Sequence, residues 1–291
     1  MIDPQATIPT HYRQAVTDLV RRALAEDIGD GDITTLGTIP ESTSGTARLV
    51  TKAEGVIAGL AVAQKIFQEL DSTIIFSPQI KDGASVKIQQ VIATIQGPVR
   101  AILAGERTAL NILQRMSGIA TRTRKLTALL ARTDCRLLDT RKTAPGLRVL
   151  DKWAVAIGGG DNHRSGLYDM ALIKENHIRA AGGIAAAVNS VRGYLNRNDR
   201  RDTPVEVEVK SLDELTEALA LPVDRIMLDN MSPAEMSAAV VLAAGRIPLE
   251  ASGNIDDTNI RLVAETGVDF ISVGALTHSV TALDISLLIE Q

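Results

Sequence analysis

Aromatic side chains are scarce in this chain: one tryptophan, three tyrosines and three phenylalanines make up 2% of its 291 residues. Nucleic-acid surfaces of the stacking kind need rings on a basic face, whereas 31 Lys and Arg stand here against 35 Asp and Glu, a net charge of −4. That class of partner is excluded. Cysteine occurs once, at Cys135, so no internal disulfide can form, and within RTDCRLLDT it reads as a small buried thiol. No apolar run approaches the roughly 18 residues of a membrane-spanning helix. The opening MIDPQATIPTHYR lacks the charged, apolar and small-residue order of a signal peptide. The expectation is a cytoplasmic chain with neither membrane nor nucleic acid as partner.

What is present is an ordinary globular composition, 45% hydrophobic and 23% charged, long enough for one large domain or a large and a small one. The pattern changes near residue 110. Before it, Val16, Leu19, Val20, Ala23 and Leu24 recur at helical spacing, and 45–53, 72–80 and 84–97 read as strands. A long helical stretch over 99–131 follows. Beyond it, short apolar strands at 136–139, 169–173, 205–209, 225–229, 247–251 and 269–273 alternate with helical segments such as SLDELTEALA. Repeated βα units predict a parallel sheet, curled toward a barrel. Six strands fall short of eight, which leaves either an incomplete barrel or a poorly marked strand near Val155.

Positive charge is concentrated although the whole chain is acidic. Between Asp139 and Asn176, Arg141, Lys142, Arg148, His163, Arg164 and Lys174 interrupt apolar and glycine-rich sequence. Cations in that setting face a cleft, because burying them without anions costs several kcal/mol each, roughly. A small, highly anionic ligand is expected. In a βα barrel the ligand lies where strands end, and the residues there are polar: Asp139 to Thr143, Lys174 to His177, Glu206 and Glu208, Asp229-Asn230, Ser252-Gly253-Asn254 and Ser272-Val273-Gly274. Glycines after the two last strands allow backbone N–H groups to approach a phosphate. Glu206 and Glu208 point to one side of their strand by alternation, so periodicity does not separate them.

The blocks ERTALNILQRMSGIAT (106–121), LLDTRKTAPGLR (137–148), GGGDNHRSGLYD (158–169), LIKENHI (172–178), VEVEV (205–209), IMLDN (226–230), EASGN (250–254) and GVDFISVGALTH (267–278) together resemble the quinolinate phosphoribosyltransferase family. The resemblance implies an α/β fold with an N-terminal α/β sandwich and an open, incomplete TIM-like barrel. It places the sandwich in residues 1–112, joined by a C-terminal helix over 278–291, and the barrel in 113–277. It implies transfer of the phosphoribosyl group of phosphoribosyl pyrophosphate to quinolinate, with loss of pyrophosphate and carbon dioxide, giving nicotinate mononucleotide.

By the same resemblance Arg107, Arg141, His163, Arg164 and Lys174 bind quinolinate, with Arg107 reaching in from a neighbouring protomer of a homodimer or higher even-numbered assembly. Guanidinium forks suit a dicarboxylate. Lys142, Glu208 and Asp229 are the expected catalytic residues at the phosphoribosyl pyrophosphate, with Ser252, Gly253, Asn254, Ser272, Val273 and Gly274 around its phosphates. Two carboxylates do not make a permanent metal site, so Mg²⁺ is expected to arrive with the substrate, near Glu208 and Asp229. Asn254 stands where many relatives carry glycine. Arg148 and Lys152 read either as accessory cations or as a solvated helix face. His177 reads as a site residue or as a helix-start histidine bonded to backbone. A barrel aldolase using Lys142 or Lys174 as a Schiff-base amine is the competing enzyme class, which borohydride trapping would reveal. A non-catalytic biotinyl-like module in 81–98 lacks the lysine setting it would need.

Overall fold

A computed structural model describes residues 7–290. It divides into two compact units, of which the second, 125–142 with 160–276, is inserted into the sequence of the first, 7–124 with 143–159 and 277–290.

The first unit begins with α1 (Arg13–Ile28), whose buried Val16, Leu19, Val20 and Leu24 form one apolar stripe. The Asp32 side chain accepts the Thr35 N–H at 3.0 Å and starts α2 (Ile33–Thr38). Then come β1 (Ser44–Thr51), β2 (Gly55–Val56), α3 (Leu60–Leu70), β3 (Ile75–Pro78), β4 (Ser85–Val86), β5 (Val91–Pro98) and α4 (Val99–Leu129). The stretch 84–97 is therefore two strands, interrupted where Gln89 takes a left-handed φ of 63°. Leu49, Ile66, Phe67, Ile92 and Ile95 are fully buried in this unit's core. Gly118 of α4 is required by close approach, since a Cβ there would lie 2.1 Å from the Thr281 carbonyl oxygen.

The second unit begins within the last turns of α4 and continues with β6 (Arg136–Leu138); α5 (Arg148–Gly158) then belongs to the first unit. After it come β7 (Ala171–Ile173), α6 (Glu175–Ala181), α7 (Ile184–Arg197), β8 (Val205–Val209), α8 (Leu212–Ala218), β9 (Arg225–Asp229), α9 (Pro233–Ala243), β10 (Leu249–Ser252), α10 (Ile260–Ala264), β11 (Phe270–Ser272) and α11 (Ala275–His278). The six strands form one parallel sheet in the order β6-β11-β10-β9-β8-β7. On β8, Val205, Val207 and Val209 are wholly buried on one face, and Glu206 and Glu208 occupy the other. The sheet does not close. A single parallel bridge, Leu138 to Asp161, extends it beyond β6, and residues 162–170 run from there to β7 at the opposite edge. Val155 lies in α5, so the incomplete barrel, not a hidden strand, accounts for the count of six.

Two expectations are corrected. Residues 278–291 do not form a helix: β12 (Ile285–Ile289) pairs antiparallel with β1 and completes the sheet order β12-β1-β5-β3. Leu283, Ile285 and Leu287 are the buried residues there, a period of two that a strand satisfies and a helix does not. A boundary at 112/113 also falls inside α4, and the compact units divide at Arg124/Lys125 instead. A continuous helix whose early turns pack in the first unit carries that boundary onward.

Candidate active site

Parallel pairing brings the C-terminal ends of all six strands to one edge of the second unit's sheet. Arg141, Lys142, Lys174, Glu208, Asp229, Ser252 to Asn254 and Ser272 to Gly274 occupy that edge, with His163 and Arg164 on the segment that crosses the opening. Arg107 is not among them, being an exposed residue of α4 in the first unit. Arg148 and Lys152 also belong to the first unit. Arg148 donates to Thr143 Oγ1 at 3.0 Å and lines an open cavity with Asp18 and Arg22. Lys152 is only 2% exposed, which overturns the solvated helix face for that residue.

Arg141 and Arg164 act on each other as like charges, partly offset at Arg164 by Glu206 and Asp169. Burial, followed by the charge of Arg141, holds the Arg164 guanidinium below the usual arginine range. The Nε of Arg141 is buried with no hydrogen-bond acceptor among the described residues. Lys174 stands 3.6 Å from Glu208 Oε2. Its backbone N–H donates to His177 Nδ1 at 3.0 Å, so His177 is committed to starting α6 and bonds backbone.

Glu206 and Glu208 share a face and differ in depth. Glu208 keeps part of its side chain exposed beside Lys174, whereas Glu206 is fully buried with its Oε2 2.9 Å from His163 Nε2. The Oε2 of Glu250 lies 3.4 Å from the same nitrogen and 3.0 Å from Arg225 NH1. Arg225 is stacked 4.1 Å over the Phe270 ring. Burial pushes the Glu206 carboxyl up. For Glu250 burial acts in the same sense, but His163, Ser272 and Arg225 outweigh it and hold the carboxyl down. Burial also opposes a charge on His163, but the two carboxylates outweigh it and lift its pKa to about 9. The Nδ1 atom, however, accepts the Arg164 backbone N–H at 2.7 Å. A second ring proton there would break that bond, so the direct contact decides for a neutral ring protonated at Nε2.

His163, Glu206 and Glu250 place ligand-type atoms within 4.8 Å of one another, a spacing a metal ion can use. Arg225 already supplies the compensating positive charge, and a cation between them would meet its guanidinium. Glu208 and Asp229, by contrast, end adjacent strands as two partly exposed oxygen donors. They suit an ion that brings its own water and phosphate ligands.

The late strand ends are tied together by amides. Asn230, left-handed at φ 56°, donates from Nδ2 to Asp229 Oδ1 at 2.9 Å and accepts from Asn254 Nδ2 at 3.1 Å. Gly253 has φ 100°, and a Cβ on it would lie 2.1 Å from Asn230 Oδ1. Only glycine lets the β10 loop pass that amide. Asn254, with φ 53°, keeps the left-handed backbone that glycine would take and adds a donor. Three contributors escape a reading of strand ends alone: Glu250, Arg225 and Lys210. Lys210 pairs with Glu175 at 2.5 Å; Glu175 first, then Asp229 and Glu208, raise its pKa. Glu250 was legible in principle, two residues before Ser252 and so on the same face.

The sequence profile for the quinolinate phosphoribosyl transferase C-terminal domain matches residues 119–288, and that for the N-terminal domain matches 32–117. The chain is 44% identical, over 97% of its length and 84% of the relative's, to quinolinate phosphoribosyltransferase [decarboxylating] 1 of Nicotiana glauca. It is 46% identical, over 92% of its length and 90% of the relative's, to a probable nicotinate-nucleotide pyrophosphorylase [carboxylating] of Synechocystis. The solved nicotinate-nucleotide pyrophosphorylase of Francisella tularensis superposes with a TM-score of 0.90 at 45% identity, covering 100% of both chains. With both domains matched and the fold shared along its length, the chain belongs to the quinolinate phosphoribosyltransferase family.

Proposed function

We propose that the chain transfers the phosphoribosyl group of phosphoribosyl pyrophosphate to quinolinate, releasing pyrophosphate and carbon dioxide and giving nicotinate mononucleotide in NAD biosynthesis. The observation that carries the site assignment is the buried Arg141 Nε with no acceptor among the described residues, near an Arg164 guanidinium that burial and then the Arg141 charge hold below the usual arginine range. Such a pair is costly until an anion arrives, and a dicarboxylate answers both guanidiniums. Lys174 completes the quinolinate shell in this assignment, and Arg107 of a second protomer closes it in a homodimer or higher even-numbered assembly.

Lys142 contacts the phosphoribosyl pyrophosphate, whose phosphates lie against Ser252 to Asn254 and Ser272 to Gly274. The C1–oxygen bond to pyrophosphate breaks as the pyridine nitrogen bonds C1. Glu208 and Asp229 stabilise the positive charge that develops on the ribose. Glu208 and Asp229 would also hold a Mg²⁺ ion arriving with the substrate, which would supply charge neutralisation at the pyrophosphate. The carboxylate next to the alkylated nitrogen then leaves as carbon dioxide, its bonding electrons passing to the cationic ring, and the ring carbon takes a proton. The single buried thiol suits a reducing compartment, and the cytoplasm is the proposed location; no helix among the described residues is long and apolar enough to cross a membrane.

The test is nicotinate mononucleotide formation from quinolinate, with nicotinate as the control substrate. Quinolinate is turned over and nicotinate is not, because one missing carboxylate leaves a buried cation without its partner. Equal use of both substrates overturns the assignment. Arg141→Ala and Arg164→Ala each lose about 2–5 kcal/mol of transition-state binding in kcat/KM.

A further inference from the structure

Strand β9 ends at Asp229 and β10 at Ser252, and the ladder between them runs one step further, with the Asn230 backbone N–H donating to the Ser252 carbonyl at 2.9 Å. Beyond that step side chains take over. Asn254 donates from Nδ2 to Asn230 Oδ1 at 3.1 Å, and Asn230 donates from Nδ2 to Asp229 Oδ1 at 2.9 Å. The direction of this chain of bonds is fixed at its far end. An ionised carboxylate only accepts, so Asn230 turns its amide nitrogen to Asp229 and its oxygen outward, and Asn254 answers that oxygen with its own nitrogen.

The backbone is shaped for the same contacts. Asn230 and Asn254 take left-handed φ values of 56° and 53°, a region that asparagine enters at less cost than most side chains. Gly253, at φ 100°, passes so close that a Cβ would meet Asn230 Oδ1 at 2.1 Å. Asn259 holds the far side of the loop, donating from Nδ2 to the Asn254 carbonyl at 2.9 Å. Both Asn230 and Asn254 are exposed, where a hydrogen bond adds little to folding because water competes for it. What the two amide bonds do fix is the orientation of the Asp229 carboxylate.

We propose that Asn254 and Asn230 are positioning residues that act through Asp229: the amide chain occupies Oδ1, leaves Oδ2 for the ribose of phosphoribosyl pyrophosphate, and ties that carboxylate to the loop assigned to a phosphate. The proposal rests on the functional reading above and deepens it, since a preset carboxylate counts most when positive charge develops on the ribose. Asn254 therefore contributes through its side chain as well as through the backbone of its loop.

Glycine substitutions test this with the backbone unchanged, because glycine accepts both left-handed φ values. Asn254→Gly should lower kcat about threefold to tenfold, the range one neutral hydrogen bond is worth, and Asn230→Gly about tenfold or more. The KM values for quinolinate and phosphoribosyl pyrophosphate stay within about twofold of wild type in both variants. The double variant should match Asn230→Gly within about twofold, since Asn254 then has nothing left to act through. Losses that multiply in the double variant, or an unchanged kcat with a raised KM for phosphoribosyl pyrophosphate in Asn254→Gly, overturn the proposal. Asn254→Asp keeps the loop's shape but turns an acceptor toward Asn230 Oδ1, and should lower kcat at least as far; an unchanged kcat there also overturns it. Wild-type turnover of quinolinate and its loss in Asp229→Ala are measured first, so a failure of the functional reading is seen separately from a failure of the amide chain.

Discussion

At the scale of single residues, burial decides which charges serve structure and which are left for a ligand. Half-buried Asp82 accepts the Gly59 and Leu60 N–H groups at the start of α3, both at 3.1 Å, yet burial outweighs those bonds and pushes its carboxyl up. The folded chain then holds this proton more readily than the unfolded chain. Its contribution therefore falls as pH rises from the ordinary carboxylate range through the raised pKa. Asp82→Asn keeps the acceptor and removes the charge, so its melting temperature relative to wild type should climb between about pH 4 and pH 7. A difference that shrinks over that range contradicts the sign. Residue depth is also what the sequence hides. The VEVEV run shows that Glu206 and Glu208 share a face, but only the structure shows the first beneath His163 and the second beside Lys174. Strand alternation fixes direction; distance along the barrel axis depends on register with neighbours that lie far away in sequence.

At the scale of elements, the βα alternation after residue 130 was readable because each strand is short, apolar and followed by a helical period. The strands from β6 to β11 lie where that pattern puts them, within a residue or two. The failures were elements whose partner is remote. Five residues of alternating pattern at 285–289 become a strand because β1 offers an edge, and α4 continues through the change of pattern because both units use it. Glycines in α4 give an element-level test. A Cβ at Gly118 meets the Thr281 backbone oxygen at 2.1 Å, whereas one at Gly105 meets only side-chain atoms of Leu70 and Phe67 at 2.9–3.0 Å. Backbone cannot turn aside and side chains can. Gly118→Ala should cost more than about 3 kcal/mol in urea unfolding. Gly105→Ala should cost about 1 kcal/mol or less, since the helix propensity of alanine offsets part of the crowding. Equal costs would mean that strand-helix spacing near Thr281 relaxes freely.

At the scale of the whole molecule, the proposed site needs Arg107, which lies in the first unit, and the assignment of that residue to a second protomer predicts complementation. Arg107→Ala and Arg164→Ala, each nearly inactive alone, should recover roughly a quarter of wild-type activity when mixed, since about half the dimers are mixed and each holds one intact site of two. No recovery in verified mixed dimers would place both arginines in one chain. Nesting of the second unit inside the first carries a further consequence, for synthesis. Every residue of the second unit has been made before β12, whose Ile289 pairs with Ala47 of β1. On the ribosome the inner unit can therefore complete its fold while the outer sheet still has a bare edge at β1, and the sheet begun first is finished last. That edge is the part of the nascent chain most in need of shielding from other strands.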